Sequence, residues 1–486
     1  MIRHLPALLF MIPFSVAVSL PLVGVRHRQW CHPLALGAVA AMSLVAGLNL
    51  GAVLTYGASR YAFGGWAAPI GIEWLNDELA AIIVLTLSLL TLTSLVFAGG
   101  TAPRTLGGRV VPFYTLILLQ SSALAGVVFA ADLFNVFVFL EVAALAGYAL
   151  VGVSGGRALV SAFRYLILGS LGASLYLLGI GYLYAATGTL SMADLGGRVP
   201  ELLTSPAIVG GLTFIFLGLA IKMAIMPMHG WLPDAYTYAP DAVSPFLAAS
   251  VTKVAMIVWV RIMFWVIGPN ASIEHIPVVT FLDELGAITA VAGALLALTQ
   301  REIKRMFAYG GISHMGLVLM AVSLGNPTAL AGGVFYLIND AVMQAALFFL
   351  AGAAIHQSGV RTLDELGEFR GPAWLTGALI LVAMSMVGIP PTGGFFGKWN
   401  IILGAIEAGN YFAVGAVILS TLLTLGYFIR LFERLFTAQP ETAPSHVTPP
   451  SLRISVAGVS AAIILLGVLS DPIVRVLLEL ALPDGM

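Results

Sequence analysis

The sequence predicts an all-α protein that crosses a lipid bilayer about fourteen times, and three observations support this fold class. Of the 486 residues, 59% are hydrophobic and only 9% are charged, which is too little polar surface to cover a soluble globule of this size. Apolar runs of about 20 residues recur along the whole chain, and each could cross the hydrocarbon core as a helix. The loops between these runs are short and leave no room for an extramembranous catalytic domain.

The apolar runs predict membrane-spanning helices at 5–23, 33–56, 79–98, 111–131, 133–152, 163–185, 207–226, 242–267, 280–299, 306–324, 329–355, 374–404, 411–436 and 452–470. The first run follows Arg3, as in a signal peptide, but it lacks a small-residue cleavage site, so we expect a retained helix. The longest polar stretch, 437–451, is rich in proline and threonine and is predicted to be a linker.

The composition and the motifs argue against several kinds of site. Cys31 is the single cysteine, so the chain has no internal disulfide and no cysteine cluster for a metal. No histidine pair has metal-site spacing, and no nucleotide-binding fingerprint is present. We therefore expect no cofactor, no metal, no nucleic-acid partner and no redox or catalytic centre in this chain.

The distribution of basic residues predicts the orientation of the chain. If the loop with Arg26 and Arg28 is cytoplasmic, fourteen basic residues fall on the cytoplasmic side of the membrane and five on the opposite side. The remaining three basic residues are lysines within helices. Because cytoplasmic loops carry an excess of lysine and arginine, we expect both termini outside the cytoplasm of a prokaryotic plasma membrane.

Three of the four lysines, namely Lys222, Lys253 and Lys398, lie in apolar helices, whereas there are eighteen arginines. A buried lysine can lose its proton, whereas arginine stays charged, and a proton path needs groups that titrate. The alternative is that each lysine is a structural cation that reaches toward the membrane interface. Intramembrane ionisable groups are costly and usually functional, which favours the first interpretation.

Two acids are also predicted to lie deep in the membrane. Glu141 lies in the middle of "LFNVFVFLEVAALAGYALVG", about 12 Å from the aqueous end marked by Asp132. An unpaired carboxylate at that depth would be protonated or would find a cation. Asp340 shares its helix with Asn339 and Gln344, and this trio suits either a structural hydrogen-bond group or a transport path.

Two of the lysines are next to helix breakers, and two histidines are candidate relays. Lys222 precedes Pro227, and Lys398 follows "GIPPTGG". Such breaks free backbone groups inside the membrane, where they are tolerated only if protein or water satisfies them; a simple packing kink is the alternative. His229 and His314 are candidates because imidazole titrates near neutral pH, although a lone histidine is often only hydrogen-bonded.

Several motifs resemble those of the antiporter-like subunits shared by respiratory complex I, an NADH-quinone oxidoreductase, and Mrp-type cation/proton antiporters. The motifs are "DLFNVFVFLE", "IKMAIMPMHGWLPDAYTYAPDAVSPFLAASVTK", "REIKRMFAYGGISHMG" and "GIPPTGGFFGKW". The similarity runs from about residue 75 to 430, and "FYLIND" together with the length looks closest to the D-type subunit of the Mrp antiporters.

The resemblance implies two inverted five-helix repeats, at 111–267 and 280–436, each with one broken helix. They would follow N-terminal helices at 1–110 and precede a linker and C-terminal helix at 437–486. It also implies that Glu141 pairs with Lys222, that Lys253 lies between two half-channels and that Lys398 gates the exit. The chain departs from the family at Gln344, where a lysine is usual, and at Asn339, where the D-type pattern has a histidine.

These observations lead to three functional hypotheses. The first is a proton-translocating subunit that works with other membrane subunits of an Mrp antiporter, an NADH- or ferredoxin-quinone oxidoreductase, or a hydrogenase. The conducted ion is the proton, and sodium remains open as a second ion. The second is a self-contained transporter for a small solute, which would need a polar cavity away from the lysines. The third is a structural membrane subunit that conducts nothing, for which Gln344 is the main argument.

Overall fold

The computed structural model describes residues 2–66, 68, 71–268, 277–367, 371–437 and 448–480. Most of them are helical, and the two short strands pair with each other. The elements are α1 (Leu5–Arg26), α2 (Cys31–Tyr56), β1 (Ser59–Ala62), β2 (Glu73–Asn76), α3 (Glu78–Leu106), α4 (Val110–Phe129), α5 (Leu133–Gly152), α6 (Arg157–Thr187), α7 (Met192–Arg198), α8 (Pro206–Met223), α9 (Leu232–Tyr238), α10 (Ser244–Arg261), α11 (Pro277–Thr299), α12 (Ile303–Ser323), α13 (Pro327–Ser358), α14 (Leu363–Leu366), α15 (Ala373–Val387), α16 (Gly393–Glu407), α17 (Tyr411–Phe436), α18 (Pro450–Val468) and α19 (Ser470–Leu480).

The described helices confirm the predicted fold class. Twelve stretches are long and apolar enough to cross a membrane. One of these, Glu78–Phe129, contains two helices, α3 and α4, joined by the turn Gly107–Arg109. A further crossing is divided between α15 and α16, which are each too short to span about 30 Å alone. Every predicted span therefore coincides with a helix or with the α15–α16 pair.

The core of the bundle is organised around α13. Every residue from Ala329 to Ala354 is buried, including three polar side chains near the middle of the helix. Helices α10, α12 and α16 pack around it, so α13 contacts elements of both predicted repeats. A polar group on α13 therefore lies away from bulk solvent, and any protein partner must come from these neighbouring helices or from α13 itself.

Small residues allow the closest helix contacts. Where α6 crosses α8, a Cβ on Gly218 would lie 2.5 Å from the carbonyl oxygen of Gly172, and a Cβ on Gly179 would lie 2.5 Å from that of Gly211. Such distances exclude any side chain larger than hydrogen at Gly218 and Gly179. Close backbone approach of this kind is the usual means of helix association in membranes.

Two helices are interrupted at corresponding places in the chain. Helix α8 ends at Met223 with a left-handed residue, Ala224, and the chain resumes a helix only at Leu232. Helix α15 ends at Val387 in the same way, with Gly388 in the left-handed region, before α16 begins. One break in each half agrees with the predicted pair of inverted repeats. The boundaries 1–110, 111–267, 280–436 and 437–486 stay predictions, and most of the predicted linker at 437–451 lies outside the described residues.

Several short elements were not predicted from the sequence, among them a β-hairpin and the last helix. Strands β1 and β2 form an antiparallel hairpin between α2 and α3, in register from Ser59 opposite Asn76 to Ala62 opposite Glu73. Helix α19 follows α18 and, with 11 residues, is too short to cross a membrane. The hairpin and α19 are short or amphipathic, so neither gives the long apolar run on which the sequence prediction depended.

Candidate functional site

The first buried ion pair joins α5 to the last turn of α8. Lys222 Nζ lies 2.9 Å from Glu141 Oε1, and the two side chains are 6% and 25% exposed. Lys222 is at the carboxyl end of α8, where the helix dipole favours a cation. The two side chains that the resemblance pairs are therefore in direct contact.

An aromatic contact fixes the chain at the first break. The Trp231 ring stacks on Tyr165, with centroids 4.0 Å apart and planes 4° from parallel. Trp231 Nε1 also donates a hydrogen bond of 2.8 Å to the carbonyl oxygen of Ile221, next to Lys222. The end of α8 thus has a backbone carbonyl satisfied by the segment that follows it, as a helix end buried in a membrane protein requires.

Asp340 joins two cationic or titratable side chains in the centre of the bundle. Lys253 Nζ lies 2.7 Å from Asp340 Oδ2, and His314 Nδ1 lies 2.7 Å from Asp340 Oδ1. Asp340 is completely buried on α13, Lys253 lies on α10 and His314 on α12. One carboxylate therefore connects the last helix of the first predicted repeat to two helices of the second.

Lys398 is held by a different set of groups. Its Nζ donates to the carbonyl oxygens of Met386 at 2.8 Å and Val387 at 3.3 Å, and to Thr421 Oγ1 at 3.0 Å. The two carbonyls are those freed at the end of α15, where the helix dipole is negative. Among the described residues no carboxylate forms an ion pair with Lys398. This lysine is therefore bound by dipoles, whereas Lys222 and Lys253 have counterions.

Tyr336 lies between Asp340, the acid in the centre of the bundle, and Lys398. Its ring centroid is 6.0 Å from Lys398 Nζ, within the range of a cation–π contact, and 5.2 Å from the His314 ring. Gly388 permits the approach of the lysine, because a Cβ there would lie 3.2 Å from Lys398 Cδ and the backbone has φ +87°. Buried groups thus follow one another from Lys253 through Asp340, His314 and Tyr336 to Lys398.

The two family departures, Asn339 and Gln344, are both buried on α13. Asn339 Nδ2 lies 3.5 Å from Ser385 Oγ, and a Cβ on Gly393 would lie 2.5 Å from Asn339 Oδ1, so the asparagine packs against the second break. Gln344 packs against Gly311, and neither of its amide atoms has a hydrogen-bond partner among the described residues. Buried polar atoms without a protein partner are usually satisfied by ordered water.

His229 does not join the buried groups. It lies in the irregular segment between α8 and α9 and is only half-buried. Its ring is 6.0 Å from that of Tyr309, and within the described part of the chain it makes no ion pair with the six other candidate residues. His229 therefore lies apart from the buried ion pairs, whereas His314 is at their centre.

Four further ion pairs, formed by three acids, were not predicted. Lys304, assigned to a loop from the sequence, is 6% exposed, and its Nζ lies 2.5 Å from Asp241 Oδ1. Arg261, counted from the sequence among the five outside basic residues and placed at a helix end, is 2% exposed and pairs with Asp77 at 2.9 Å. Asp234, the third acid, pairs with two arginines at the start of α6 and α12. The only sequence signal for these pairs was the low number of charged residues in the chain. Where charged residues are so few, each one near a helix end is a candidate for an ion pair.

A helical bundle with two interrupted helices and buried lysine–carboxylate pairs defines this chain as a membrane protein of the ion-transporter class. The chain belongs to the family described as "NADH:quinone oxidoreductase/Mrp antiporter, TM", whose model matches residues 130–424. The family resemblance found in the sequence is thereby confirmed.

Relatives of known name come from both branches of the family. The N-type subunit of the NADH-quinone oxidoreductase of Desulforudis audaxviator is 36% identical, over 99% of each chain. The D-type subunit of the Na(+)/H(+) antiporter of Bacillus subtilis is 29% identical, over 82% of this chain and 80% of that one. In the solved membrane-bound sulfane sulfur reductase, an archaeal respiratory membrane complex, one chain is 27% identical and superposes with a TM-score of 0.90, covering 98% of this chain and 96% of that one.

Proposed function

We propose that this chain translocates protons as the antiporter-like subunit of a multisubunit membrane complex. The single observation that carries the proposal is the Asp340 carboxylate, which is completely buried and shared between Lys253 and His314. A charge placed so deep is costly unless it is paired, and intramembrane groups of this kind are typical of proton relays. The names of the relatives, which include subunits of an antiporter and of a quinone oxidoreductase, support the same class of function.

The contacts suggest an order for the proton path. When Glu141 takes up a proton, Lys222 loses its counterion and its neutral form is favoured. Helices α8 and α10 pack against each other, so the change in charge at Lys222 is felt at Lys253 through protein of low dielectric. Lys253 and His314 then compete for Asp340, and Lys398, whose ammonium is bound at the second break, is the last titratable group of the proposed path.

Gln344 is accommodated in this path as a group that binds water rather than as a charge. Its two amide atoms are buried without a protein partner in the described residues, one helical turn from Asp340. An amide can both donate to water and accept from it, so it can hold a water chain in place without carrying the proton itself. The presence of Gln344 in place of the lysine that is usual in the family is therefore compatible with proton conduction.

The rival hypotheses receive less support. A small-solute transporter would need a polar cavity near the middle of the membrane. The cavities of about 300 Å³ at Arg164 and about 230 Å³ at Asp132 instead lie at helix ends. A purely structural subunit would have no need for three buried lysines in three different electrostatic settings.

Replacement of Glu141 tests the proposal at the first ion pair. We expect Glu141→Gln and Glu141→Ala to leave an assembled complex with strongly reduced proton transport, because Lys222 loses the counterion that stabilises its charge. The measurement is proton transport by the purified complex in liposomes, normalised to the amount of complex. Glu407→Gln, at an exposed position on α16, is the matched control and should transport normally. Wild-type rates in both Glu141 variants would remove the pair from the path.

The proposed orientation places both termini outside the cytoplasm. The prediction depends on the fourteen-to-five distribution of basic residues and on an even number of crossings, which the short α19 does not change. Reporter fusions after Met486 should therefore be active only with a reporter that folds outside the cytoplasm. Activity of a cytoplasmic reporter at the same position would contradict the orientation.

A further inference from the structure

A basic pocket lies at the start of α6, and none of the buried lysines lines it. It has a volume of about 300 Å³, and its charged lining residues are Arg157, Arg164, Asp234 and Arg305. These residues come from α6, α9 and α12, so three helices of the bundle form its walls. By the distribution of basic residues, this end of α6 is the cytoplasmic end.

The pocket carries an excess of positive charge. Asp234 Oδ2 lies 2.6 Å from Arg164, and Oδ1 lies 2.8 Å from Arg305, so one carboxylate neutralises two guanidinium groups only in part. Arg157 forms no ion pair within the described ranges. The amino end of α6, which begins at Arg157, adds the positive end of a helix dipole. Three arginines and a single carboxylate therefore face a cavity that is open to an anion.

The pocket continues into an apolar stripe on the same helix. Leu159, Val160, Phe163 and Ile167 are each more than half exposed, and Val160 also lines the pocket. Residues three and four apart lie on one face of a helix, so most of this stripe runs from the pocket toward the middle of the membrane. A face of this kind on a membrane protein is suited to hydrocarbon chains.

We propose that the basic pocket binds the phosphate of an anionic phospholipid whose acyl chains lie along the apolar stripe of α6. Arginine binds phosphate oxygens through paired N–H groups, and Asp234 orients two of the three guanidinium groups toward the cavity. A soluble phosphate would use the arginines but not the stripe. The stripe begins at the pocket wall, so the lipid accounts for both features.

The test is photo-crosslinking of the purified complex in phosphatidylcholine nanodiscs that contain a small amount of photoactivatable phosphatidylglycerol. We expect cross-links on the α6 segment 157–167 that unlabelled phosphatidylglycerol competes away and inorganic phosphate does not. The variants Arg157→Gln and Arg164→Gln should each lower the cross-linking about fivefold, the effect of removing one cation near an anionic membrane surface. Arg104→Gln, at an exposed arginine on the same predicted side, is the matched control and should cross-link normally.

Several results would overturn this proposal. Equal labelling by photoactivatable phosphatidylcholine would show that the stripe binds lipid without regard to charge. Displacement by inorganic phosphate would show a site for a soluble anion. Unchanged cross-linking in the Arg157→Gln/Arg164→Gln double variant, with the complex assembled, would remove the arginines from the site. A neighbouring protein chain found in the pocket in the structure of the complex would mean that the partner is a protein.

Discussion

Asp340→Asn is expected to lower proton transport about a hundredfold while the complex still assembles, because proton-transfer groups in fixed positions contribute on this scale. The asparagine has nearly the same shape, but it removes the charge that Lys253 and His314 share at 2.7 Å each. Breaking a buried pair typically costs about 3–5 kcal/mol unless the remaining charge is neutralised. Lys253 would avoid this cost by losing its proton and could then no longer take part in the relay. The measurement is proton transport in inverted vesicles, normalised to assembled complex.

A double variant separates transport from folding at this site. Lys253→Met combined with Asp340→Leu removes both charges of the pair and leaves His314 as a neutral imidazole without its acceptor, so no charge stays unpaired and the complex should still assemble. We expect transport to remain absent in this variant. Asp364→Asn makes the same chemical change on α14, where the Asp364 side chain is 66% exposed, and this control should transport normally. Normal transport in Asp340→Asn, or in the double variant, would show that the pair is only structural.

Much of the fold could be predicted because a membrane limits what a sequence can form. Only helices satisfy their own backbone in lipid, so each apolar run of sufficient length had one structural solution. The breaks at Pro227 and at Pro390–Gly394 were visible for a related reason, since prolines and glycines grouped within a few residues tend to interrupt a helix. The β1–β2 hairpin and α19 were missed because they lie outside the apolar runs.

The candidate site could be predicted as a set of residues but not as a set of contacts. Lysine within an apolar run is rare, and this alone identified Lys222, Lys253 and Lys398. The partner of Lys253 is 87 positions away at Asp340, and nothing in the spacing of the two residues indicates that α10 and α13 meet there. The pairing of Glu141 with Lys222 could be predicted only from the family resemblance. Pairwise contacts between distant helices depend on packing, which a single sequence does not encode in a readable pattern.

The three lysines differ in how their charge is stabilised, and this difference is relevant to the direction in which protons would move along the proposed path. Lys222 pairs with a carboxylate that is 25% exposed, so its counterion can exchange protons with water more readily. Lys253 pairs with a carboxylate that has no exposure at all. Lys398 has only carbonyl and hydroxyl dipoles around it, and these offset the cost of burying its charge less well than a carboxylate would. Lys398, which has no counterion among the described residues, is therefore the lysine that we propose releases its proton at the second break.

Lys398→Arg is expected to abolish most proton transport although it keeps a positive charge. Arginine, with a pKa above about 12, cannot give up its proton in a protein, whereas a buried lysine can. Lys398→Ala should have the same effect on transport because it removes the titratable group. Both variants should assemble, since no described carboxylate is left unpaired when this cation is changed. The measurement is proton pumping or cation-driven proton exchange in inverted vesicles, per amount of complex.

Thr421→Val is the matched control for this position. It removes one of the three acceptors around Lys398 Nζ but leaves the lysine and both carbonyls of α15, so most of the transport should remain. A structural cation would give the opposite pattern: Lys398→Arg would transport normally, and Lys398→Ala would mainly reduce the amount of assembled complex. Because the carbonyls of Met386 and Val387 could accept hydrogen bonds from either cation, normal transport in the arginine variant would mean that the charge alone matters. The second break would then be a binding site for a fixed cation, and the proton path would have to end before Lys398.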